Sequence, residues 1–240
     1  MSEASAPRLD LDTAKREIEQ AIRARPRLRG VSHQWAFFVF AVLGVVLVVT
    51  APSGRATLAA GIYAVCVTLL FGASALYHRV TWRTDAARRW MRRLDHSAIF
   101  LLIAGTYTPF ALLVLHGSLA DVVLALIWSG AVGGILLKLL WIDAPKWIAA
   151  VIYVALGWSA AIVTPDLISQ VGVTASVLVA AGGALYTLGA VTYALRRPDP
   201  LPSVFGYHEV FHALVIVAAV IAVLIAVPLA GAPAFGYLWQ

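Results

Sequence analysis

Long apolar blocks, each almost free of charge, decide what this chain can fold into. About 18 or more such residues cross roughly 30 Å of hydrocarbon as a helix. Seven apolar runs follow one another: Gln34–Val49, Thr57–Tyr77, Ser97–Leu115, Leu119–Leu140, Trp147–Val163, Val171–Tyr193 and His208–Leu229. The first is short as drawn and extends back toward Val31. The fifth is also short, bounded by Asp143 and Pro145 before it and Pro165 and Asp166 after it. In hydrocarbon every backbone polar group must be paired within the protein, which leaves helices or closed barrels. Barrel strands would alternate apolar and polar over short segments, and these blocks do not. With 61% hydrophobic and only 12% charged residues, lipid is the expected solvent. The expected fold is all-α: a seven-transmembrane-helix bundle over residues 31–240 behind a polar segment, 1–30.

Basic residues orient the bundle. Seventeen of the 18 lysines and arginines fall on one side of the alternating spans, in the N-terminal segment (Arg8 to Arg29), the second loop (Arg79 to Arg93), around the fourth loop (Lys138, Lys146) and in the sixth (Arg196, Arg197). Only Arg55 falls on the other. Cationic loops resist translocation, so the N-terminus is expected in the cytoplasm and the C-terminus outside. Rhodopsin-like receptors run the opposite way, and the last span lacks the lysine a retinal protein needs. The net charge of +6 borders membrane helices, where anionic headgroups account for it better than nucleic acid. Residues 1–30 hold no apolar signal region, so the first span is expected to be an uncleaved insertion signal. Within them, a short helix is expected up to about Ala24, started near Asp12 or Thr13 and ended by Pro26. The single cysteine, Cys66, lies in an apolar run and reads as packing.

Ionisable residues inside spans are costly in lipid and need a reason. His78 closes the second span, four residues after Ser74. Asp95 opens the third, and His208 and His212 open the seventh on one helical face. Alternating span directions bring all of them to the cytoplasmic layer. Three imidazoles at one depth, with a carboxylate or water, meet the demand of tetrahedral Zn²⁺, and an open fourth position suits catalysis. Asp95 can bind the metal, orient its water or hold the second nitrogen of a ligand histidine. Ser74, one turn deeper than His78, can donate a hydrogen bond to that water or to a substrate carbonyl. HEVFH also fits HExxH, in which the glutamate is a general base; Glu209 reads equally as an interface residue, because the string begins a membrane helix. A lone HxxxH pair also serves as an interfacial anchor. His33 reads as interfacial, His96 as a loop or lipid contact, and His116 lies a membrane thickness away. Thr106 to Pro109 form a polar, kink-capable patch in the third span. The tryptophans, Trp158 among them, read as interfacial anchors. No GxGxxG or P-loop points to a nucleotide cofactor.

SALYH at Ser74–His78, RRLDHSAIFLLIAGTYTPF at Arg92–Phe110 and HEVFHALV at His208–Val215, set in seven spans, resemble the hemolysin III family, bacterial relatives of the progestin and adiponectin receptors. The resemblance covers nearly the whole chain after about Arg29. It implies a seven-helix bundle with a cytoplasmic N-terminus, a zinc site of His78, His208 and His212, and Ser74 and Asp95 in the family's serine and aspartate roles around the bound water. Receptor relatives are associated with lipid signalling and ceramidase-like amide hydrolysis; bacterial members carry a haemolysin label and a link to membrane-lipid homeostasis. The expectation is a multi-pass protein of the cell (inner or plasma) membrane that hydrolyses a membrane-lipid amide or ester with zinc, using Ser74, Asp95 and Glu209. The alternatives are a non-enzymatic zinc-containing sensor or receptor-like protein and, less favoured because the polar groups gather on one side, a pore-forming cytolysin.

Overall fold

A computed structural model of the chain describes residues 26–52, 54–159, 161 and 164–229. The helix expected to end near Ala24 lies outside them. Seven helices are described: α1 (Val31–Thr50), α2 (Gly54–Arg79), α3 (Asp85–Leu113), α4 (Gly117–Leu140), α5 (Lys146–Trp158), α6 (Thr164–Leu195) and α7 (Tyr207–Leu229). Six of them are long and apolar enough to cross a membrane, through Gly172–Leu195 in α6 and Tyr207–Ala226 in α7. This is a multi-pass integral membrane protein.

α5 is the exception. Its 13 residues rise about 20 Å at 1.5 Å per residue, short of the hydrocarbon thickness. Its path is nevertheless fixed at both ends. Lys146 Nζ donates to Tyr207 Oη at the start of α7 (3.1 Å), and Tyr107 Oη, deep in α3, donates to the Gly157 carbonyl. α5 therefore starts at the end of the bundle where α7 starts and runs inward to the depth of Tyr107. α6 is interrupted at Gly172, whose φ of 82° and ψ of 172° are not helical.

α3 starts ten residues and more before the apolar run expected from Ser97. The sequence DAARRWMRRLDH is rich in good helix formers. Thr84 caps it, its Oγ1 accepting from Ala87 N at 3.2 Å, and Asp85 stands in the first turn where the helix dipole favours it. The arginines of the second loop are thus mostly on a polar helical extension.

Outward faces carry apolar side chains such as Trp35, Val42, Val49, Leu58 and Val122, and inward faces hold two packed clusters. One joins α1, α2, α3 and α7 through Phe40, Tyr63, Val67, Phe71, Leu102, Val215 and Ala219. The other joins α3 to α4 through Phe100, Ala104, Ala111, Val123 and Ile127. α3 packs against α2, α4, α5 and α7, so it is the central helix. Several buried hydroxyls find backbone partners: Tyr63 Oη donates to the Ala219 carbonyl (3.0 Å), and Thr106 and Thr108 donate back to Leu102 and Ala104 (2.8 Å each). The patch at Thr106 to Pro109 thus satisfies itself largely along its own helix.

Adjacent glycines on α4 separate packing from tolerance. A Cβ on Gly134 would stand 2.1 Å from the fully buried Phe100 ring, whereas one on Gly133 meets nothing within 4 Å. G134A is expected to destabilise the protein by about 1–3 kcal/mol through overpacking, and G133A to leave the unfolding midpoint in detergent unchanged or slightly raised; thermal unfolding of both variants checks this.

Candidate metal centre

Antiparallel helices bring the start of α1, the end of α2, and the starts of α3 and α7 to one end of the bundle, the end that also carries most of the described arginines and lysines. Within α2, Ser74 and His78 are one turn apart and share a face. His208 and His212 do the same in α7. The imidazoles of His78, His208 and His212 converge, each offering a ligand atom within 4.8 Å of the others. Their ring centroids are 4.5 to 5.3 Å apart.

The donor set suits a metal ion. His78 Nε2 and His208 Nε2 are 3.1 Å apart, close to the edge of about 3.3 Å that a tetrahedron with 2.0–2.1 Å metal–nitrogen bonds requires. His212 is 1% exposed, and its Nδ1 is buried without a hydrogen-bond partner. A buried polar atom with no partner is costly in hydrocarbon, and metal ligation is one way to satisfy it.

The other expected residues divide. Asp95 stands beside the cluster: its Oδ2 is 3.9 Å from His78 Nε2 and 3.2 Å from His96 Nδ1. His96, expected to face a loop or lipid, instead bridges Asp95 and Tyr193, with Nε2 3.1 Å from Tyr193 Oη. His33, expected at the interface, is 2% exposed and lies within the site, its Nδ1 2.8 Å from Ser74 Oγ. Both were missed because their facing depends on how α1 and α3 are rotated, which position in the sequence does not report. The available signal was depth: both lie in the layer that holds the other histidines. His116 stands just before the first residue of α4, at the end of that helix away from the site.

Glu209 has a different set of partners. It is the third residue of α7, and its Oε2 accepts from Gly206 N at 2.8 Å, the backward half of a capping box. Its Oε1 is 2.7 Å from Arg29 Nε, and the carboxylate is 1% exposed. Arg29 belongs to residues 26–30, which dock on the turn before α7 through Arg27 N to Ser203 O (3.0 Å) and Leu28 N to Val204 O (3.1 Å). Gly30, at φ 76°, then enters α1 so close to His78 that a Cβ there would come within 2.5 Å of the histidine's own. Glu209 ties this strap to α7.

A cavity of about 240 Å³ opens from the cluster. Ser74, Asp95, His96, His208 and His212 line one end; Ile99, Leu102, Phe110, Val154, Leu178, Ile221 and Ile225 line the rest. From His208 to Ile225 the α7 wall runs roughly 25 Å at 1.5 Å per residue. Trp158, expected as an interfacial anchor, is half exposed; it also lines this cavity and donates to Thr187 Oγ1 at 2.9 Å.

Fold and site together define a polytopic membrane protein with a buried three-histidine cluster at one end of its bundle. The chain belongs to the Haemolysin-III related family, which matches residues 22–223. It is similar to Hemolysin-3 of Bacillus cereus, 34% identical over 164 residues (68% of this chain, 71% of that one), and to the Hemolysin-3 homolog of Bacillus subtilis, 32% identical over 155 residues (65% and 69%). It is also similar to the human monocyte to macrophage differentiation factor, 28% identical over 165 residues (68% and 66%).

Burial separates two ion pairs in importance. E209A is expected to cost about 3 kcal/mol, because it strands the largely buried Arg29, whereas D143A, which breaks the exposed 2.7 Å Arg92–Asp143 pair, is expected to cost under about 1 kcal/mol. Denaturation midpoints of the two variants in one detergent test the contrast.

Proposed function

We propose that the protein is a zinc-dependent hydrolase of a membrane-lipid amide or ester, with seven crossings, the N-terminus in the cytoplasm and the site at the cytoplasmic end. The observation that carries this reading is the junction of the long apolar cavity with the histidine cluster and Asp95. An acyl chain lying along α7 brings its head linkage to that junction. The basic rim at the same end supports the orientation, and the path of α5 supports the seventh crossing.

His78, His208 and His212 would hold the ion, which when bound supplies Lewis-acid polarisation of a carbonyl and activation of water. Asp95 accepts the proton of the attacking water, and His96 on its Oδ2 fixes the carboxylate for that transfer. Water oxygen bonds to the carbonyl carbon, the carbon–nitrogen or carbon–oxygen bond breaks, and the proton held by Asp95 passes to the leaving group. Ser74, which lines the cavity, supplies a hydrogen bond to the carbonyl oxygen as negative charge develops there. Glu209 takes no part in this scheme, since its oxygens are committed to Gly206 and Arg29. The name Hemolysin-3 carried by two relatives raises a pore reading, but among the described residues the ionisable groups of the cavity collect at one end instead of lining a path across.

Metal analysis of purified protein is expected to find about one zinc per chain, lost in H78A, H208A and H212A. D95N is expected to keep the metal and lose at least 100-fold in turnover of the lipid found by an untargeted screen, and S74A to lose about 10-fold or more. Zinc without any lipid product would move the protein to the sensor class, and absence of zinc from replete wild type would end the metalloenzyme reading.

A further inference from the structure

Beside the three converging histidines stands His33, held too firmly to be incidental. His33 is fixed on three sides: Nδ1 bonds Ser74 Oγ at 2.8 Å, the ring stacks on His212 with centroids 3.6 Å apart and planes 13° from parallel, and Phe71 meets it edge-on at 5.0 Å. A polar ring so placed in the first span is costly in lipid unless its contacts repay it.

Stacking decides what His33 cannot do. An imidazole ligates through a lone pair in its own ring plane. An ion in the plane of His212 stands well out of the plane of a ring stacked on it at 3.6 Å, farther than the 2.0–2.1 Å of a zinc–nitrogen bond. The described cluster of converging ligand atoms accordingly comprises His78, His208 and His212. We propose that His33 is a positioning residue of the metal centre: it fixes the Ser74 hydroxyl by a hydrogen bond and the His212 plane by stacking, without touching the ion.

The geometry gives this a chemical consequence. A serine hydroxyl has one donor and two acceptor sites. His33 occupies one of them and sets the rotamer, so the remaining capacity is held toward the cavity that Ser74 lines. The same side chain contacts a ligand ring, so one residue of α1 couples α2 and α7 at the centre. This role rests on the metal reading above.

The test uses the purified full-length chain and cobalt(II), whose visible absorption reports the ligand set while titration reports affinity. H33F keeps a stacking ring without nitrogens, and H33N keeps a hydrogen-bonding group near the position of Nδ1. H33F is expected to bind one cobalt per chain with a tetrahedral spectrum and affinity reduced about 10- to 100-fold. S74A should fall in the same direction, H33F/S74A should be weaker than the poorer single variant by less than the product of the two losses, and H33N should recover most of the wild-type affinity. Loss of stoichiometric cobalt in a folded H33F protein would make His33 a ligand and overturn the proposal. So would wild-type affinity in H33F, full multiplicative losses in the double variant, or an H33N protein no better than H33F. If wild type itself takes no cobalt, the metal reading fails and this role falls with it, an outcome distinguishable from the others because it appears before any variant is compared.

Discussion

Hydrocarbon offers no water to a polar side chain, so polar groups placed within membrane helices must satisfy one another. The arrangement at the histidine end of the bundle follows from that constraint. His33 from α1, Ser74 and His78 from α2, Asp95 and His96 from α3, and His208 and His212 from α7 meet there, with Tyr193 of α6 closing the set. The deeper half of the same helices is largely apolar, with hydroxyls turned back onto carbonyls. What results is a polar head and an apolar tail inside one cavity, the same division that a lipid molecule carries along its own length.

The helix cores and the convergence of His78, His208 and His212 were legible in the sequence because both follow from counting: runs of apolar residues, spacing of four, and alternation of direction. Seven helices were expected, and six prove long enough to cross a membrane, with α5 the short one. Rotation about a helix axis is not a counting property, and the misplacement of His33 and His96 has that origin. Glu209 shows a different limit. In a string that fits HExxH, the glutamate reads as a base or as an interface residue until its partners are known, and those partners, Arg29 and Gly206, include a residue at the other end of the chain.

Boundary differences have local causes. The polar start of α3 is helical because Thr84 caps it and alanine, arginine, methionine and leucine favour it; an apolarity criterion cannot see such a helix. Gly172 breaks the regular geometry of α6 one residue after the apolar run was expected to begin at Val171, so the interruption falls at the expected boundary. Trp158, expected at an interface, is half exposed, and its indole N–H donates to Thr187 Oγ1.

The strap that joins residues 26–30 to the turn before α7 has a bearing on how the chain is assembled. Membrane helices enter in order of synthesis, yet Arg29 and His33, at the first helix, have their counterparts in Glu209 and His212 of the last. Until α7 is in place Arg29 lacks Glu209 and His33 lacks the His212 ring, although Ser74 and Phe71 of α2 are there to meet His33. The polar end of the bundle closes like a clasp when α7 arrives, and an assembly that stops before that step leaves the Arg29 guanidinium without its carboxylate.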